Sequence, residues 1–165
     1  MKRVSVAAYS AVVVLGLLVI GSAWVAGLGD PHLGTWKQNF AKSKSDPPPA
    51  GPAPQSVTRT YEVFEGDGLK YTNVAVSADG KRTTTTYSAH LDGKDVPFLG
   101  SPNFDTIALK RIDASSFDFT IKKAGKVTST GTNAVSKDGK MFTQSLKGTN
   151  ASGQPTSGVA VFEKQ

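Results

Sequence analysis

The chain has 165 residues, no cysteine, and 19 basic against 13 acidic side chains, a formal net charge of +6. The absence of cysteine excludes disulfides, zinc–thiolate sites, a cysteine nucleophile and lipid attachment through a thiol. The basic residues, among them Lys81, Arg82, Lys94, Lys122, Lys123, Lys137 and Lys140, are dispersed beside turns rather than interleaved with aromatics. That is a solvated surface and predicts no nucleic-acid partner.

The first predicted element is apolar. Lys2 and Arg3 precede an uncharged stretch over 4–28, almost entirely aliphatic over 11–20. A basic start, an apolar centre and small residues after it are the parts of a secretory signal. Cleavage after Ala23, Gly27 or Gly29 fits, although none is a clean Ala-x-Ala site. In a helix this stretch spans about 37 Å, enough to cross a hydrocarbon core of about 30 Å. Residues 1–29 are therefore expected to form an apolar helix, either a cleaved signal peptide or an uncleaved membrane anchor with Lys2 and Arg3 inside. Both readings deliver the remainder, 30–165, outside the cytoplasm, periplasmic or secreted.

That remainder reads as one domain, predicted to be monomeric. A short opening strand over 32–37 is followed by a proline-rich stretch over 41–56, with Pro47, Pro48, Pro49, Pro52 and Pro54. Proline lacks the donor a central strand needs, so an extended surface loop is expected here, a linker or lid in preference to a proline-rich protein ligand. From there β-branched and aromatic runs alternate with glycine turns. Strands are predicted over 57–64, 69–76, 82–90, 96–99, 104–112, 116–122, 127–135, 141–147 and 159–163. The intervening turns carry Asp67-Gly68, Asp79-Gly80, Asp92-Gly93 and Asp138-Gly139. Asp-Gly supplies the positive φ angles of tight hairpins. Connections this short leave no room for crossover helices, so consecutive strands are antiparallel neighbours. A meander of about 8–10 strands hides its edges by closing into an up-and-down barrel, filled by side chains or hollow enough for one small ligand.

Alternation assigns the faces. Phe117, Phe119 and Ile121 share one face of their strand, against Asp118, Thr120 and Lys122. Tyr61 and Val63 alternate with Thr60 and Glu62, and Leu69 and Tyr71 with Lys70 and Thr72. Thr83–Thr86 and Thr128–Thr132 carry many hydroxyls, which fits solvated pleats or a partly polar interior. If the interior is hollow, Tyr61, Tyr71, Tyr87, Phe117 and Phe119 are the expected ligand-binding side chains.

The search for catalytic chemistry yields little. His32 reads as a surface residue of the opening segment, and His90 as an ordinary strand end beside Asp92. A lone histidine without further strong ligands makes a poor metal site. The pairs Asp92 with Asp95 and Glu62 with Glu65 stand three apart, on opposite strand faces. No nucleophile elbow, zinc helix or phosphate loop is present. The expectation is a protein without enzymatic activity, cofactor or metal. Asn150-Ala151-Ser152, formally a glycosylation acceptor, reads as a turn.

Gly34-Thr35-Trp36, at the first strand of such a barrel, resembles the signature of the lipocalins and the wider calycin superfamily. The resemblance implies that Trp36 is a structural plug at the closed end. A longer likeness runs to small exported bacterial proteins of lipocalin-like look. It is carried by Gly34–Asn39, Ala41–Lys44, Leu109–Asp113, Lys147–Asn150 and Val161–Gln165. The chain departs from lipocalins in offering Lys164, not arginine, late in the barrel, with Arg111 elsewhere. The fold class expected is all-β, a lipocalin-like barrel. Its expected role is to bind a small apolar or amphipathic ligand, the alternative being a non-enzymatic structural or interaction protein of the cell envelope with a filled barrel.

Overall fold

Period-two alternation, broken every eight to ten residues by glycine, folds as the pattern requires. The computed structural model describes residues 29–49, 51–150 and 153–165. The predicted signal or anchor over 4–28 and its helix lie outside the described residues. Among the described residues eleven strands follow one another: β1 Gly34–Gln38, β2 Lys44–Asp46, β3 Ser56–Phe64, β4 Gly68–Val76, β5 Arg82–Ala89, β6 Asp92–Pro97, β7 Thr106–Arg111, β8 Ser116–Lys123, β9 Lys126–Val135, β10 Met141–Thr149 and β11 Pro155–Lys164.

Ten of them lie on one hydrogen-bonded path, β5-β4-β3-β1-β11-β10-β9-β8-β7-β6, and β2 pairs β11 beside it. All pairings are antiparallel. The first and last strands meet in the wall, because β1 sits between β3 and β11, with Trp36 opposite Lys164 and Arg59. The path's two free edges, β5 and β6, are drawn together just beyond β6. There the Thr86 N–H donates to the Leu99 carbonyl at 3.1 Å and the Leu99 N–H to the Thr86 carbonyl at 2.9 Å. The result is a nearly closed up-and-down barrel.

Three expectations change. The predicted 41–56 loop contains a strand: Ser45 pairs with Gly158, and Lys44 with Val159. β1 and β2 together act as one broken strand along β11, interrupted at Asn39–Ser43, so prolines begin only where pairing stops. The predicted turn at Asp92-Gly93-Lys94 lies inside β6. The chain reverses earlier, at His90-Leu91, and Asp92 and Asp95 pair with Lys110 and Ala108 across a bulge. Gly93, at φ 85°, supplies the positive φ for that bulge rather than for a hairpin.

His32 is the third correction. It is fully buried, not on the surface. The segment before β1 tucks into one end of the barrel, where the His32 carbonyl accepts the Trp36 Nε1–H at 2.8 Å. Its ring lies against Phe117, centroids 4.7 Å apart. The His32 Nδ1–H donates to Asp30 Oδ1 at 2.8 Å, as does the His32 backbone N–H at 2.9 Å, and Arg111 Nη2 donates to Asp30 Oδ2. Burial alone would raise the Asp30 carboxyl. The hydrogen bonds from His32 and Arg111 outweigh it and hold it at about 2. Trp36, Phe117, Phe142, Phe162, Leu69 and Leu109 complete this closed end, each essentially without exposure. The Lys164 ammonium lies 4.9 Å from the Trp36 ring centroid.

Candidate functional site

The register stacks the barrel interior in storeys. Tyr61 pairs with Tyr71, and Tyr71 with Tyr87, so three tyrosines stand side by side across β3, β4 and β5. Tyr71 and Tyr87 are stacked, centroids 4.5 Å apart and planes 13° off parallel; Tyr61 lies 5.2 Å from Tyr71. One step along each strand on the same face comes a polar residue. Arg59 pairs with Asn73, and Asn73 with Thr85. Across the barrel, Gln144 stands beyond Phe142 and pairs with Asn133, which stands beyond Val135.

Between these storeys lies a cavity of about 240 Å³. Its wall holds Arg59, Asn73, Thr85, Asn133 and Gln144 together with Tyr61, Tyr71, Tyr87, Phe98, Phe104, Ile107, Phe119 and Ile121. Of the five ligand-binding side chains expected from the sequence, Tyr61, Tyr71, Tyr87 and Phe119 are brought together here. Phe117 is not; it packs beneath, against His32 and Tyr61. Trp36 is likewise below the cavity, in the sealed end. Phe98 and Phe104, 4.3 Å apart, come from the β6–β7 connection that closes the barrel.

Sequence reasoning left open a partly polar interior through Thr83–Thr86, which include Thr85, but named none of Arg59, Asn73, Asn133 and Gln144. Arg59 is two residues from Tyr61, Asn73 two from Tyr71, Thr85 two from Tyr87 and Gln144 two from Phe142. The same alternation, carried one step further, places every one of them inside.

Arg59 dominates the electrostatics. Its Nε donates to Asn73 Oδ1 at 3.3 Å and its Nη2 to Gln144 Oε1 at 3.0 Å. The guanidinium lies 4.2 Å from the Phe162 ring centroid and 5.9 Å from that of Tyr71. Its Nη1 is buried without a hydrogen-bond partner, and so is Asn133 Oδ1. Burial pushes all three phenols above the ordinary tyrosine range, so they remain protonated donors at neutral pH.

A wider groove of about 810 Å³ opens at the mouth. Leu146, Gly158 and Ala160, inward positions of β10 and β11, form part of its wall, and Pro47, Pro48, Pro49 and Pro54 another. Its size does not make it the better site, because among the described residues no unpartnered buried polar atom lies in it. Among the described residues no group of three His, Cys, Asp or Glu side chains is arranged to hold a metal ion. His90 instead pairs with Asp67 at 2.8 Å on the exposed rim.

The same fold occurs in a mutant of the fluorescent protein UnaG. The match has a TM-score of 0.55 at 14% identity and covers 82% of this chain and 96% of that one. Rv2717c from M. tuberculosis matches with a TM-score of 0.52 at 15% identity, over 82% of this chain and 93% of that one. The shared architecture is an antiparallel, nearly closed up-and-down β-barrel. Identities this low establish fold, and function must be argued from the site. No protein-family model and no curated protein sequence matches the chain.

Proposed function

We propose that this protein is a small-ligand-binding barrel that works outside the cytoplasm and takes an apolar or amphipathic molecule into its interior. The observation that carries the reading is the cavity of about 240 Å³, lined by aromatic side chains with a few convergent polar groups. That combination is the usual composition of a ligand site. The alternative, a structural protein with a filled barrel, has no use for a hollow interior bearing unpartnered polar atoms, because empty space and orphaned donors both cost stability.

The size restricts the occupant. A cavity of about 150 Å³ holds benzene, and a water occupies about 30 Å³ of liquid volume. The present cavity therefore takes a single ring with two or three further groups, and a larger ligand must reach toward the mouth groove. The apolar 4–28 segment supports delivery across a membrane and a kinship of habit with the small exported bacterial barrels that the sequence resembles. The reading is of binding without catalysis.

Native mass spectrometry of protein purified from its own host tests this. A retained small molecule, or displacement of an environment-sensitive dye from the interior, is expected. A barrel that is always empty and admits no probe refutes it. Fractionation with an antibody to the chain tests the compartment; recovery wholly in the cytosol refutes export.

A further inference from the structure

Resting on the reading of the barrel as a small-ligand binder, the geometry points to the class of ligand: we propose that the cavity takes a small aromatic carboxylate, with Arg59 as its anion anchor. A charge drawn out of solvent normally has a partner. Arg59 is half-buried with its Nη1 fully covered, and among the described residues its hydrogen-bond acceptors are two neutral amides, Asn73 and Gln144, with no carboxylate in an ion pair to it. The rings of Phe162 and Tyr71 meet the guanidinium through their π faces. The N–H donors lie in the guanidinium plane, so that stacking leaves Nη1 vacant.

Arg111 provides the internal contrast. It too leaves Nη1 unpaired, but its charge is met by Asp30. The missing counter-charge is what singles out Arg59. The surrounding groups reinforce the choice. Tyr61, Tyr71 and Tyr87 are lining phenols that keep their protons and can donate, whereas Asn73 and Gln144 already accept from Arg59. The covered Arg59 Nη1 is a donor without a partner, and the local positive charge makes an anionic acceptor the complementary ligand group. The rest of the wall is aromatic: Tyr71, Tyr87, Phe98, Phe104 and Phe119 offer faces and edges to one planar ring. The unpartnered Asn133 carbonyl can accept from a hydroxyl on that ring.

Isothermal titration with benzoate, 4-hydroxybenzoate and the neutral isostere benzamide tests this on the wild-type chain, on Arg59→Met, which keeps the stem and deletes the charge, and on Arg59→Lys, which keeps the charge and deletes the fork. Thermal unfolding checks that each variant is folded. A charge-assisted hydrogen bond is worth roughly ten- to hundredfold in affinity. Wild type is expected to prefer benzoate over benzamide by about that factor, Arg59→Met to bring the ratio close to one, and Arg59→Lys to fall between. Benzoate is expected to raise the unfolding midpoint of wild type and not of Arg59→Met. Equal binding of benzoate and benzamide by wild type, or a ratio unchanged in Arg59→Met, overturns the anion assignment and leaves the small-ligand reading standing. Exclusion of all three probes overturns both.

Discussion

Asp30 is the residue whose replacement best tests how the sealed end is held. Its side chain is 2% exposed and accepts from His32 twice and from Arg111 once, while the Arg111 side chain is 25% exposed. Replacing Asp30 with Asn keeps the shape and removes the charge. Removing one partner of a fully buried pair costs roughly 3–5 kcal/mol. Solvent reaches part of Arg111, so roughly 2–4 kcal/mol is expected at pH 7. The pH dependence gives an independent figure. The carboxyl sits at about 2 against 3.8 for a free side chain, and at about 1.36 kcal/mol per pH unit that difference is roughly 2 kcal/mol of stability. The folded-state value is the lower one. The contribution is therefore fully present above about pH 5 and drains away as pH falls through about 2. Urea unfolding of wild type and Asp30→Asn at pH 7, 5, 3 and 2 measures it as a difference of differences, so that other titrating groups cancel. The gap between the two proteins should be wide and constant from pH 7 to 5, then narrow toward pH 2. A gap below about 0.5 kcal/mol at pH 7, within the range of an ordinary surface change, or one that does not narrow in acid, would sink the account of the Asp30 network.

Gly131 faces inward beneath the Phe119 ring, and a Cβ there would meet the Ser145 carbonyl oxygen at 2.0 Å and Phe119 Cζ at 2.6 Å. Gly131→Ala should cost about 3 kcal/mol or more, because a backbone oxygen cannot yield; a denaturation midpoint like that of wild type contradicts the packing. Phe117→Ala should lose roughly 3–5 kcal/mol of stability without changing which ligands fit, since Phe117 lies outside the cavity wall. Phe119→Ala should be destabilised as well but should also admit a larger ring, such as naphthoate, which titration of both folded variants would distinguish.

The β architecture was legible because its signals are local. Alternation at Phe117, Phe119 and Ile121 needs only the strand's own residues, and so do the Asp-Gly turns at Asp79-Gly80 and Asp138-Gly139. Asp92-Gly93 carries the same local signal and lies in a bulge, because pairing with Lys110 on β7 decides its place. His32 was misjudged for a related reason. Its environment is set through Asp30 by Arg111, 81 residues from Asp30, and no periodicity reports such a partner. β2 was hidden because Lys44, Ser45 and Asp46 are polar and exposed, so that strand has no apolar face to betray it. The aromatic half of the cavity was visible as tyrosines on inward faces. The polar half was overlooked because arginine, asparagine and glutamine normally mark the outside of a pleat, although alternation within each strand already puts them on the aromatic side.

Two arginines thus sit in one barrel under opposite terms, and the difference suggests a decisive substitution. Arg111 is closed by the chain's own carboxylate, which locks the sealed end. Arg59 is left with amides alone. If its vacancy is the cost of keeping a site for an anion, supplying the anion from within should close it. Gln144 already accepts from Arg59 Nη2 at 3.0 Å, so Gln144→Glu turns that contact into an ion pair with little change of shape. Stability should rise, by roughly 1 kcal/mol or more for a hydrogen bond that has become charge-assisted. Benzoate binding should fall at least as far as in Arg59→Met, because the guanidinium is already neutralised. A more stable variant that no longer binds carboxylates would mark the open arginine as a functional strain, the usual exchange of stability for a working site. A less stable Gln144→Glu, with the carboxylate preference intact, would mean that Arg59 serves only the wall.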